Sequence, residues 1–299
     1  MAWAADGRMS GRPLRRGKPY LYLLPILIGY LSFTLAPVII GFVYSLSTYH
    51  IGSELHPVGL QNCQDLRHSD LFWTVLSNTA YYAVLYVPMN IAVALGLALL
   101  LEKKVRGISF FRTIYFLPVV TSMVAAAMIW GWLYNADLGL LNYVLSIFGV
   151  QGPRWLEDPK WAMPALAIMA VWKNAGYNMM IFLAGLTSIG PEYYEAARLE
   201  GATPMQRFRT ITLPLLSPVI FFVSVVTCIG AFQVFEQTYV LTRGGPGVST
   251  LTLSFHIWQT AFQFFNIGGA SAMAFVLFGL LLLLTAVQFM LRKRWVFQQ

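Results

Sequence analysis

The sequence predicts an all-α polytopic membrane protein with six transmembrane helices. Of its 299 residues, 58% are hydrophobic and only 11% are charged, and the mean hydropathy is +0.63. Ordinary soluble domains are about half apolar and about a quarter charged, so water is not the main solvent of this chain. Six long segments are almost free of charge, whereas a buried helix of a soluble protein would show a polar stripe at helical period.

Each of these segments is long enough to cross a bilayer, because a hydrocarbon core of about 30 Å needs roughly 20 residues of helix. The first follows a basic N-terminus at 1–19 and exceeds the apolar core of a signal peptide, which is about 7 to 15 residues long. We therefore predict a retained first helix, a membrane domain over 20–292 and a short tail at 293–299. The predicted spans are 20–47, 71–101, 110–134, 161–187, 214–238 and 268–292.

Basic residues predict the orientation, because Lys and Arg concentrate in cytoplasmic loops. They cluster before the first span, between the second and third, between the fourth and fifth, and after the sixth, for example at Lys103, Arg207 and Arg292. The pattern predicts that both termini are cytoplasmic. The net charge of +8 does not indicate nucleic-acid binding, because the basic clusters are short and separated by apolar runs instead of forming one face.

The loop between the fourth and fifth spans, residues 191–213, has the pattern of two short helices joined by a glycine turn. Its opening proline suits a first helical turn, and Glu195 favours the positive end of a helix dipole. Gly201 can adopt the left-handed conformation that ends a helix. The adjacent Ala196 and Ala197 permit close backbone approach to a groove on a partner.

This loop resembles that of the membrane permeases of bacterial ATP-binding-cassette importers. In that family the loop has the form Glu-Ala-Ala, three residues, Gly, nine residues and Ile-x-Leu-Pro. Here Glu195-Ala196-Ala197, Gly201 and Ile211-Thr212-Leu213-Pro214 stand in the same register. The resemblance implies a type I ABC importer permease fold in the bacterial inner membrane. It also implies a coupling loop for a cytoplasmic ATPase, whose contact set is Glu195, Ala196, Ala197 and Gly201.

Further segments resemble the carbohydrate-uptake permeases of the maltose, lactose and glycerol-3-phosphate type. They are Phe111 to Pro118, Gly139 to Asn142 and Tyr239 to Pro246. In that family Gly-Leu-x-Asn-Tyr commonly precedes the second span. This chain departs from the pattern because Cys63 stands in place of the tyrosine. The resemblance implies the path for a sugar or sugar-like solute, with glycerol-3-phosphate among the candidates. The implied partners are a second homologous permease, two ATP-binding-cassette ATPases and an extracytoplasmic solute-binding protein.

Polar and aromatic residues in the fourth and fifth spans are candidates for the solute path. Ionisable groups are costly at membrane depth and usually face a cavity or a partner, which singles out Lys173 and Glu236. The alternative interpretation is that each pairs within the bundle or extends to the interface. The polar and aromatic residues beside them could supply the hydrogen bonds and ring contacts that bind a sugar, and they could equally well pack the helices together. The candidate path residues are Lys173, Asn174, Tyr177, Phe232, Gln233 and Glu236.

Motifs of enzymes are absent from the sequence. The glycine-rich segment Gly244–Gly247 lacks the lysine and the Ser or Thr of a phosphate-binding loop, and no HExxH, GxSxG or GxGxxG pattern occurs. We predict no catalytic residue, no metal site and no cofactor, so the energy must come from another subunit. Two alternatives remain, a permease for a non-sugar solute and an ion-coupled secondary transporter, which would need mid-membrane carboxylates and usually an internal repeat.

Overall fold

The computed structural model describes residues 18–102 and 107–296, and most of these residues are helical. The predicted all-α polytopic fold is confirmed. Within the described ranges, the strands are β1 (Ser47–Thr48) and β2 (His56–Pro57), which form a short antiparallel pair. Several predicted basic segments lie outside the described residues: most of the N-terminus at 1–19, the residues Lys103, Lys104 and Arg106, and the last residues of the tail at 293–299.

The first two predicted spans are long helices. A π-helical turn before Pro37 lets the first of them continue past a residue that has no N–H to donate. The second begins where the hydroxyl of Ser69 accepts a hydrogen bond from the N–H of Phe72. The elements are α1 (Lys18–Tyr30), the π-helical segment Leu31–Leu35, α2 (Ala36–Ser45), α3 (Gln61–His68) and α4 (Asp70–Leu101).

The short helix α3 is tied to the end of the first span. The side-chain amide of Asn62 donates to the carbonyls of Ser45 at 2.9 Å and Ser47 at 3.0 Å. Asn62 belongs to the segment that departs from the family pattern at Cys63. The asparagine of that pattern therefore makes the anchoring bonds, and they do not involve the side chain of residue 63.

The third predicted span, 110–134, is divided into two helices, α5 (Ile108–Val120) and α6 (Met123–Leu133), which meet at an angle of 99°. Thr121 and Ser122 between them have an extended backbone. Pro118 removes one N–H from the helical ladder just before the break. Hydropathy could not reveal this bend, because the apolar run continues through it.

The second half of the chain alternates long helices with short ones. The predicted fifth span, 214–238, is a continuous helix only as far as Phe232, and the predicted sixth span, 268–292, lies within one helix. The elements are α7 (Leu140–Ile147), α8 (Pro159–Thr187), α9 (Pro191–Leu199), α10 (Pro204–Arg207), the π-helical segment Phe208–Thr212, α11 (Leu213–Phe232), the π-helical segment Thr238–Thr242, α12 (Leu253–Phe262) and α13 (Ile267–Trp295).

Four helices within the described ranges are long and apolar enough to cross a membrane, and the bent pair of α5 and α6 makes a fifth if it is one span. The fourth predicted span, 161–187, corresponds to α8, whose 29 residues extend about 44 Å. Lys173, Asn174 and Asn178 make the middle of α8 polar. The four helices are Tyr22–Ser45, Asp70–Leu101, Pro204–Phe232 and Ile267–Lys293.

The polar middle of α8 is shielded because this helix lies at the centre of the bundle, where most of its side chains are buried. α4 packs along it, and the small residues Ala94, Ala98, Ala167 and Ala170 lie in this core and allow the helices to approach closely. The first span instead exposes its apolar side chains on the surface of the chain. The fold thus places polar groups in the interior and apolar groups on the outside.

Candidate functional site

The predicted coupling loop folds as a helical hairpin at the end of α8. Pro191 lies in the first turn of α9, as the sequence predicts. Gly201 has a φ of +78°, the left-handed conformation that ends a helix. The N–H of Ala202 donates to the carbonyl of Ala197 at 2.9 Å, so the turn closes back on α9. The expected helix, glycine turn and second helix are all present.

The second half of the hairpin has its own N-terminal cap. The hydroxyl of Thr203 accepts a hydrogen bond from the N–H of Gln206, and the side chain of Gln206 accepts one from the N–H of Thr203 at 2.7 Å. Tyr194 fixes α9 to this half, because its hydroxyl lies 3.0 Å from that of Thr212, just before α11. The hairpin is therefore joined directly to a membrane-spanning helix.

Small residues of the hairpin line a concave surface, which we call the α9 groove. Its volume is about 860 Å³, and Ala196, Ala197 and Gly201 share it. Glu195 faces the other side of α9 and lines a neighbouring cavity of about 500 Å³. Three of the four predicted contact residues therefore share one surface. The α9 groove is lined by Glu192, Tyr193, Ala196, Ala197, Glu200, Gly201, Ala202, Gln206, Thr210 and Ile211.

A second cavity, of about 440 Å³, is lined by residues of α4, α5, α6, α8 and α11 and of the segment after α11, and it opens to the surface at Tyr177, Gln233 and Glu236. We call it the central cavity. Of the predicted path residues, Asn174, Tyr177, Gln233 and Glu236 line it. The complete lining is Tyr82, Tyr86, Val119, Met123, Asn174, Tyr177, Asn178, Val226, Thr227, Gly230, Gln233, Val234, Phe235, Glu236 and Gln237.

The other two predicted path residues lie behind the wall of the central cavity. Phe232 is buried in the apolar core. Lys173 is 6% exposed, and its Nζ donates to the carbonyl of Val119 at 3.0 Å, close to the break between α5 and α6. These positions favour the interpretation that Lys173 pairs within the bundle.

A hydrogen-bond network joins the three helices around the central cavity. The amide of Asn178 donates to Asn90 and, at 3.1 Å, to the hydroxyl of Thr227. The amide of Asn174 donates to the hydroxyl of Tyr86 at 3.1 Å. One turn along α4 from Tyr86, the hydroxyl of Tyr82 accepts a hydrogen bond at 2.8 Å from the side chain of Gln237, which follows α11 in the chain. These bonds hold the polar lining in fixed positions.

The α4 side of this network is missing from the sequence prediction. Tyr82, Tyr86 and Asn90 are spaced four residues apart, so they share one face of α4, and the rings of the two tyrosines stack with centroids 5.4 Å apart. A polar residue on every turn of an otherwise apolar span is the signal that would have revealed them. The sequence prediction rests on ionisable groups, so its candidate path residues lie on α8, at the end of α11 and just after α11.

A bundle of apolar helices with a polar interior is the architecture of a membrane transport subunit. Comparison with known proteins gives the family. Residues 90–296 match the family described as binding-protein-dependent transport system inner membrane component, and the chain belongs to that family. It is a permease subunit of the inner membrane and not an enzyme.

Relatives of known class cover nearly the whole chain. It is 35% identical over 299 residues to the probable ABC transporter permease protein YesP of Bacillus subtilis, covering 98% of this chain and 96% of YesP. It is 36% identical to the lactose transport system permease protein LacF of Rhizobium radiobacter, covering 90% of this chain and 91% of LacF. A bacterial alginate ABC transporter has been solved in complex with an alginate-bound periplasmic protein, and one of its chains superposes on this chain with a TM-score of 0.81 at 25% identity. The superposition covers 93% of this chain and 95% of the transporter chain. The predicted importer permease fold is therefore confirmed.

Proposed function

We propose that this chain forms half of the membrane path of a carbohydrate importer and that the α9 groove binds a cytoplasmic ATPase. The observation that carries the proposal is the geometry of the hairpin, in which Ala196, Ala197 and Gly201 line one exposed concave surface. Small side chains let a partner approach the backbone closely. The bond between Tyr194 and Thr212 then gives motion of the docked partner a direct connection to α11.

The proposed cargo is a sugar or a sugar-like solute. Two similar proteins are described as carbohydrate transporters, LacF for lactose and the bacterial ABC transporter for alginate. The central cavity offers the groups that bind hydroxyl-rich solutes, namely side-chain amides, a carboxylate and aromatic rings. Asn174, Tyr177, Gln233 and Glu236 are the proposed contacts, and the network behind them limits their movement.

The proposed assembly contains a second permease, two ATPase subunits and an extracytoplasmic binding protein. The central cavity of one chain stays open to the surface at Tyr177, Gln233 and Glu236, and the first span leaves its apolar side chains exposed for lipid or for another membrane subunit. In this arrangement the hairpin faces the cytoplasm, and both termini lie on the same side. The bilayer surrounds the remaining apolar surface.

Cavity variants test the transport path. Replacing Asn174 or Gln233 by Leu removes one hydrogen-bonding group, worth about 0.5 to 1.5 kcal/mol, so the solute concentration for half-maximal uptake should rise roughly threefold to tenfold. Uptake is measured in proteoliposomes that contain the complete transporter, with the binding protein added. Ser224→Ala is the matched control, because its hydroxyl bonds to the carbonyl of Ile220 on the same helix. The same solute concentration for half-maximal uptake in all variants would contradict the proposed path.

The turn of the hairpin gives a second prediction. Gly201→Asn should retain most of the ATP hydrolysis stimulated by the binding protein, and Gly201→Val should lose it. A Cβ at Gly201 would meet no atom within 4 Å among the described residues, so the cost arises from the backbone conformation. Asn enters the left-handed region readily, whereas most other residues pay roughly 1–2 kcal/mol. Equal activity of the two variants would show that the conformation of this turn does not control coupling.

A further inference from the structure

The segment between α6 and α8 exposes apolar side chains although it is not a span. Residues 138–153, which include α7, contain no charged residue. Leu138, Tyr143, Ile147 and Phe148 are between 65% and 81% exposed on the chain. An uncharged, apolar surface of this kind is unfavourable in water. Something apolar must therefore cover it.

The side chain of Asn142 points into the same segment, whereas Ser146 and Gln151 are exposed. The side-chain amide of Asn142 donates to the carbonyls of Ala136 at 2.9 Å and Pro153 at 3.2 Å, and its oxygen accepts from the indole N–H of Trp155 at 2.7 Å. A Cβ at Gly152 would come within 2.0 Å of that oxygen, so the segment closes tightly around Asn142.

Tryptophan side chains cluster at the end of the bundle where α7 lies. Trp155, which bonds to Asn142, packs against Trp161 with ring centroids 5.5 Å apart, and Trp161 lies in the first turn of α8. This is the end of α8 opposite to the hairpin. Trp132, which lies at the end of α6 and close in sequence to this segment, is 60% exposed. Tryptophan and tyrosine collect at the level of lipid headgroups because their rings are apolar and carry one polar group.

We propose that α7 is an interfacial helix whose exposed face, formed by Leu138, Tyr143, Ile147 and Phe148, is embedded in the phospholipid headgroup and acyl boundary. The helix that leads into it, α6, also exposes large apolar side chains, namely Met128, Ile129 and Trp132. A docking face for a soluble protein normally carries a polar and charged rim, whereas residues 138–153 carry no charge and the charged Asp137 and Arg154 stand only at the two ends of the segment. The Asn142 network makes the segment a rigid anchor that fixes the membrane depth of the bent α5–α6 pair.

Site-directed fluorescence tests this proposal in the full chain, reconstituted with its co-purifying subunits in phosphatidylcholine and phosphatidylglycerol vesicles. Cys63 and Cys228 are first replaced by Ser, and a polarity-sensitive fluorophore is then attached at Ile147→Cys. Glu157→Cys is the matched control, because Glu157 is exposed beside Arg154 in the same connection. We expect blue-shifted emission at 147, with several-fold stronger quenching by spin-labelled lipid than by iodide, and the reverse order at 157.

Three results would overturn the proposal. Quenching by iodide at 147 as strong as at 157 would place α7 in water. Protection from both quenchers would show that another protein subunit covers the face. Protection that develops only after the binding protein is added would make it a docking surface for that protein. None of these results depends on which solute is carried or on whether the α9 groove binds an ATPase.

Discussion

Replacing Ala197 by Trp is expected to abolish the stimulation of ATP hydrolysis by the binding protein, while the chain still inserts into the membrane. Ala197 is partly exposed and lines the α9 groove together with Ala196 and Gly201. An indole at this position would occupy the space that the proposed ATPase contact needs, and close-packed surfaces tolerate added volume poorly. The bundle itself is not altered, because the groove faces outward. The expected loss of stimulated hydrolysis is tenfold or more, which corresponds to about 1.4 kcal/mol.

The measurement uses purified complexes in proteoliposomes, with and without the binding protein. Ala197→Ser is the matched control, because it keeps the side chain small and should retain stimulation. The unfolding temperature of the Ala197→Trp variant should equal that of the unmodified chain. Less ATPase should co-purify with the variant. Full stimulation in a correctly inserted Ala197→Trp variant would show that the α9 groove is not the docking surface.

The hairpin could be predicted from the sequence because its signals are local. A proline in the first turn, a glycine at the end and a reciprocal cap each act within four residues, so their chemistry alone determines the local backbone. The spans α4 and α13 were predictable for a similar reason, since apolar length is a property of the segment itself. Helical period also separates Glu195 from Ala197, because residues two apart do not share a face of a helix, and the two side chains line different cavities.

The features that escaped prediction depend on contacts between helices. The break near Thr121 occurs inside a continuous apolar run, and it is fixed by the packing of α5 against α8. A Cβ at Gly176 would come within 2.1 Å of the carbonyl of Tyr115, so this glycine is what lets the two helices meet. The tyrosines of α4 likewise become recognisable as cavity residues only when Asn174 and Gln237 are found beside them. Spacing alone does not show which face of a helix another helix covers.

Lys173→Met is expected to lower the thermal stability of the transporter and to reduce its maximal uptake, with little change in the solute concentration for half-maximal uptake. α5 ends at Val120, so the carbonyl of Val119 is one of the helix-terminal groups without a partner in its own helix. Lys173 supplies the donor at 3.0 Å, and Thr121 bonds to the neighbouring carbonyl of Pro118 at 2.7 Å. Methionine has a similar length but donates nothing. The buried carbonyl would remain unpaired, at a cost of about 1–3 kcal/mol.

The two interpretations of Lys173 that the sequence left open give different results in the same experiment. If the lysine supports the bent α5–α6 pair, Lys173→Met destabilises the protein, and Lys173→Arg, which keeps a donor and a positive charge, restores part of the loss. If the lysine contacts the solute, the concentration for half-maximal uptake rises while the unfolding temperature stays the same. Glu236→Gln is the comparison variant, because Glu236 lines the central cavity directly and a change there should affect solute affinity more than stability. A cation at the C-terminal end of a helix also complements its dipole, which is a second reason to expect the stabilising role at this position.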